Sequence, residues 1–82
     1  MTLADVTPNT LVRITSIDDL DYALKQRCRA MGIRVNSLIH VLRVRRTLLH
    51  IRIGTTDLAI RKTLAIHITV QKYKRIVSND TL

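Results

Sequence analysis

The sequence predicts a mainly β fold: about five short strands forming a small barrel, with one amphipathic helix set against an end or side. Three observations predict it. Leu20, Leu24, Cys28 and Met31 recur at spacings of four, four and three, which puts them on one face of a helix. Gly32 ends that helix, and from Ile39 onward the apolar period shortens from about 3.6 to 2, the period of strands. The third is composition: 46% of residues are hydrophobic, yet there are two Tyr and no Phe or Trp, so the core is built from Leu, Ile and Val.

The elements follow in chain order. Thr2 and Asp5 have capping-box spacing, which predicts one helical turn over Leu3 to Val6. Pro8-Asn9 predicts a type II turn, with Asn9 taking the left-handed conformation that a glycine usually supplies. Leu11 to Ile17 alternates apolar and polar residues and reads as the first strand. Ser16 to Asp19 offers a second capping box at the start of the helix. There Asp18, Asp19 and Asp21 complement the dipole at one end, and Arg27 and Arg29 at the other. Asp21 and Lys25 stand at i, i+4 and are expected to pair.

After Gly32, Leu38 to Val44 and Leu48 to Ile53 form a hairpin around Arg45-Arg46-Thr47. A tight turn there places His50 opposite Leu42 and His40 opposite Arg52. Gly54 to Asp57 reads as the next turn, Leu58 to Arg61 as the fourth strand and Ile66 to Gln71 as the last. Residues 1–75 form one domain; from Lys72 the chain is expected to fray, above all over the tail 76–82. A chain of this length buries roughly 60% of its unfolded surface, enough for one small core.

Charge is segregated. Fourteen Lys and Arg against six Asp give +8, and from Lys25 to Arg75 there are thirteen basic residues and one acid, Asp57. Such a field favours acidic partners: an acidic protein surface, an anionic lipid leaflet or nucleic acid. The basic residues group as Arg43, Arg45 and Arg46 near the hairpin tip, Arg61-Lys62, and Lys72, Lys74 and Arg75. They read either as a solvated surface or as a docking patch. Base stacking has little to work with, since Tyr22 and Tyr73 are the only aromatics besides three His.

Catalysis is disfavoured. Cys28 lies on the apolar helix stripe and reads as a buried, inert thiol, and His40, His50 and His67 show no HxH, HExxH or CxxC-type spacing for a metal. Two glycines in the chain leave no phosphate-cradling loop. No catalytic residue, metal ligand or cofactor is assigned. No apolar run approaches the ~18 residues of a membrane span, and no secretory leader is evident, so a cytoplasmic protein is expected.

Three segments resemble the FeoA family. Thr2-Leu-Ala-Asp-Val-Thr-Pro-Asn9 is similar to its opening Leu, acid and Pro-Gly turn. Leu24 through Met31-Gly-Ile-Arg-Val-Asn36 is similar to its helix end, where Leu-Gly is followed two residues later by Pro-Gly. Leu58-Ala-Ile-Arg-Lys62, with Ala65, Ile68 and Val70, resembles its Leu-Ala-Leu-Arg-Lys segment and final strand. Asn9 and Asn36 replace glycines and Val35 a proline, while Arg45-Arg46-Thr47, Leu64 and His67 depart from the family pattern.

The resemblance implies an SH3-like barrel and a non-catalytic adaptor. Such an adaptor docks on the cytoplasmic, GTP-hydrolysing portion of the bacterial ferrous iron transporter FeoB. On that reading Arg43, Arg45, Arg46, Arg61 and Lys62 steer the domain, and apolar residues near the helix end, Met31 and Ile33, supply short-range contact. Peripheral contact with the anionic inner leaflet and weak self-association are compatible with it; specific nucleic-acid binding is not expected. The alternatives are a nucleic-acid-binding small barrel, or an SH3-like module of a metal-responsive transcriptional regulator.

Overall fold

The computed structural model describes residues 1–75. A 3-10 turn, Leu3–Asp5, precedes β1 (Thr10–Ser16), α1 (Tyr22–Ala30), β2 (Leu38–Val44), β3 (Leu48–Ile53), β4 (Thr56–Arg61), the one-turn helix α2 (Lys62–Ala65) and β5 (Thr69–Arg75). The five strands form one antiparallel sheet in the order β4-β3-β2-β1-β5. The mainly β expectation holds, with α2 carrying the chain between the two edge strands.

Alternation along each strand separates the faces. Val12, Ile14, Ile39, Val41, Leu49, Ile51, Ile60 and Val70 point inward and are buried. Leu3, Ile17, Leu20, Cys28, Ile33, Ala65 and Ile68 close over them, so the core is aliphatic apart from the Cys28 thiol. At the N-terminus the Asp5 carboxylate accepts from the Thr2 N–H at 3.0 Å and the Thr2 hydroxyl at 3.2 Å. These bonds hold the Asp5 carboxyl below its usual range. The turn then joins the sheet through Leu3 N–H to Ile68 O at 2.8 Å.

The turns take the conformations their residues favour. Asn9 and Asn36 have φ of 61° and 76°, the left-handed positions expected of asparagines standing for glycines. Gly32, φ 89°, closes α1 in a Schellman arrangement: Ile33 N–H donates to Cys28 O at 2.8 Å and Gly32 N–H to Arg29 O at 3.0 Å. Gly54, φ 61°, opens a two-residue hairpin turn, so β4 begins at Thr56, inside the segment expected to be a turn.

Other expectations are corrected by packing. The cap of α1 is Asp21, whose carboxylate accepts from Leu24 N–H at 2.9 Å, rather than the Ser16 to Asp19 box. Leu20 therefore lies before the helix, buried by the loop, and Met31 caps its far end, 39% exposed. With Asp21 so engaged, Lys25 approaches Asp18 instead, at 3.9 Å.

In β2 a register shift between Val41 and Arg43 leaves Leu42 unpaired. His40 stays opposite Arg52, but His50 faces Arg43 rather than Leu42. The last strand starts at Thr69, not Ile66, because Ile66 N–H bonds back to Lys62 O at 3.0 Å and closes the helical turn. Lys72 to Arg75 do not fray: they continue β5, with Lys72 and Lys74 paired to Val12 and Leu11 of β1. The expected frayed tail, 76–82, lies outside the described residues.

Candidate docking site

α1 meets the core through Cys28 and Leu24 and otherwise stands away from the sheet. The space left between α1 and the junction of β4 with α2 is a groove of about 650 Å³. Its floor is apolar: Leu24, Cys28, Ile60 and Leu64, with Met31 at the helix end. Arg27 of α1 and Arg61 of β4 stand on the rim, exposed and without an ion-pair partner among the described residues. At one end His67 meets Asp19 at 3.0 Å between Nδ1 and Oδ2. An apolar trough between unpaired cations suits an amphipathic partner carrying carboxylates.

Two basic clusters distant in sequence become one. Lys62 N–H donates to Thr47 O at 2.9 Å, which sets the exposed Arg45-Arg46 loop beside Arg61-Lys62 at the start of α2. Arg61 belongs to both the cluster and the groove, so the basic patch and the apolar groove are continuous. Met31 lies in the same groove.

Two of the residues singled out in the sequence do not join them. Ile33 is 0% exposed, because the Schellman turn at Gly32 carries it into the core against Cys28; it supports the site from beneath and cannot touch a partner. Arg43 projects from the outer face of the sheet opposite His50, away from the core side. Conversely, sequence reading missed Leu24, Arg27 and Leu64 as groove residues. The apolar Leu64, between the segments read as the fourth and last strands, was the available signal.

Cys28 offers no reactive nucleophile: burial is the dominant effect and raises its thiol pKa, outweighing nearby Arg27. We expect it to react with iodoacetamide at least tenfold more slowly in the native protein than in urea at pH 8. Equal rates would mean that the groove floor opens freely. Among the described residues no group of three or more His, Cys, Asp or Glu is placed to hold a metal ion. No helix there is long and apolar enough to cross a membrane.

The comparisons with known proteins agree with this architecture. The family model for the FeoA domain matches residues 1–72. A crystal structure of an iron uptake regulatory protein, FeoA, superposes with a TM-score of 0.80 at 25% identity, covering 89% of this chain and 100% of that one. The zinc-complexed FeoA of Stenotrophomonas maltophilia, described as a prokaryotic SH3 domain protein, gives a TM-score of 0.75 at 24% identity over 87% of this chain and 89% of that one.

A manganese-dependent transcriptional repressor shares the fold at a TM-score of 0.81 and 19% identity, covering 88% of this chain but 40% of its own length. Comparison with curated proteins gives no match. With a family model that matches residues 1–72 and FeoA structures superposing over most of both chains, this chain belongs to the FeoA family, small SH3-like domains linked to ferrous iron transport.

Proposed function

We propose that this domain is a non-catalytic adaptor of ferrous iron uptake that docks on the cytoplasmic, GTP-hydrolysing portion of a FeoB-type transporter. The observation that carries the reading is the continuity of the Arg45-Arg46 and Arg61-Lys62 cluster with the apolar groove floored by Leu24 and Leu64. The cluster attracts an acidic surface at a distance, and the groove supplies contact once water leaves it. Met31, on an unbranched and adaptable side chain, lines that contact. The protein then works in the cytoplasm and gathers at the inner face of the membrane through its transporter.

An NMR titration of the labelled domain with the soluble GTPase domain tests this. Shifts concentrated at Leu24, Met31, Arg61 and Leu64 are expected. The double variant Arg45→Glu/Arg46→Glu should weaken binding by about tenfold at low salt, mainly through the association rate, with the fold intact. Undiminished affinity would remove the steering role. The fold shared with a metal-dependent repressor supports one other reading, a regulator's module; shifts of the same residues with duplex DNA but not with the GTPase domain would favour it.

A further inference from the structure

We propose that the outer face of the sheet is a second docking surface, shaped by charge for an anionic lipid bilayer. The strand register defines that face. Leu11 of β1 lies between His40 of β2 and Lys74 of β5, and Arg13 lies between Leu38 and Gln71. One row further along, Arg43 of β2 sits beside His50 of β3.

Arg13, Arg43 and Lys74 are exposed and have no ion-pair partner among the described residues. The single acid on this face, Asp57, is engaged by Arg52 through two hydrogen bonds of 2.7 and 3.1 Å, so that pair adds no net charge. The other described acids, Asp5, Asp18, Asp19 and Asp21, belong to the N-terminal turn and the approach to α1. The face therefore carries three uncompensated cations, one each on β1, β2 and β5.

Its shape favours headgroups. Arg13, Gln71, Lys72 and Tyr73 line a notch of about 100 Å³, with room for a headgroup phosphate beside Arg13, the cation of this face that borders it, since Lys72 pairs with the inward-facing Val12. The Arg13 guanidinium lies over the Tyr73 ring at 5.3 Å, and Tyr73 is half exposed, an aromatic with an apolar body and a polar tip suited to an interface. Because Arg13 covers that ring and Tyr22 stands on α1, no row of free aromatics is available for stacking bases. Cations spread over strands of an exposed sheet match a planar array of lipid charges, each strengthening partitioning about fivefold near an anionic leaflet.

The groove is walled by α1 and the β4 edge, so lipid adsorption through β1, β2 and β5 leaves it open. Adsorption would raise the local concentration of the domain at a membrane-borne partner. This last consequence rests on the adaptor reading; the lipid contact itself does not.

Sedimentation with vesicles tests it, using phosphatidylcholine alone and phosphatidylcholine with about a third phosphatidylglycerol, at 0.1 M salt. The protein should bind only the anionic vesicles and leave them at 0.5 M salt. Arg13→Glu/Arg43→Glu/Lys74→Glu should lower partitioning by well over a hundredfold, because losing three cations at about fivefold each already removes about a hundredfold. The milder Arg13→Gln/Arg43→Gln/Lys74→Gln serves if the reversal does not fold. Arg61→Glu/Leu64→Asp should bind vesicles within a few-fold of the parent while losing the GTPase domain.

Equal binding to both vesicle types, undiminished binding by the glutamine variant, or tighter and salt-resistant binding to duplex DNA would overturn the proposal. Loss of GTPase-domain docking by the parent, with vesicle binding intact, would overturn the adaptor reading alone.

Discussion

Ile39→Ala is expected to lower the unfolding free energy by about 2–5 kcal/mol, because a large buried side chain is removed where its neighbours cannot collapse fully. Ile39 is 0% exposed in β2, the middle strand of the sheet, and stands opposite Val12. Val41 and Ile51, themselves fully buried, leave little freedom to refill the space. A domain of this size has roughly 4–12 kcal/mol in total, so the variant should be partly unfolded at 37 °C. Urea titration followed by circular dichroism checks it: the midpoint should fall with the slope unchanged. Tyr22→Ala is the control. At 73% exposure on α1, its loss should move stability by less than about 1 kcal/mol, and a comparable fall would show that α1, not the sheet, limits the fold.

Gly32→Ala is expected to destabilise by about 1–2 kcal/mol, through the left-handed backbone that every L side chain resists. Its φ is 89°, and a Cβ there meets Ile53 Cγ2 at 3.4 Å, ordinary contact, so conformation rather than collision is responsible. The same reasoning predicts the opposite sign elsewhere. Asn36→Gly, at φ 76°, should be neutral or slightly stabilising. Thermal unfolding of the two variants separates the effects. Unchanged stability of Gly32→Ala would mean that the Schellman closure of α1 contributes nothing. Because that closure also sets Met31 at the groove, the adaptor function proposed above predicts that Gly32→Ala weakens GTPase-domain docking beyond its effect on stability.

How much of this was legible in the sequence depends on the range of the interaction. The helix stripe was read one turn too early at its start, because Leu20 satisfies a helical period while being buried by a loop. Spacing alone cannot tell the two apart. Asn9 and Asn36 were read correctly as left-handed turn positions, since the preference is carried by the residue itself. His40 was placed opposite Arg52 correctly and His50 incorrectly, the difference being the unpaired Leu42 between them. A bulge has no signature in a run such as Leu38 to Val44, where both faces carry apolar residues. The basic residues Arg45, Arg46, Arg61 and Lys62 were legible as charge, but not as one cluster.

By itself the sequence determined the class of fold, the aliphatic core, the left-handed turns and the excess of positive charge. Each of these is a local preference or a sum over composition. Only the tertiary structure decided that Ile33 is core while Met31 is surface, and that Lys62 bonds to Thr47 and unites two basic segments. Tertiary packing also decided that Lys72 to Arg75 are held as a strand against β1, and that α1 stands far enough from β4 to leave a groove. Those outcomes come from pairing between residues far apart in the chain. Loop closure and sheet register set their energy, and neither is written in any short stretch of sequence.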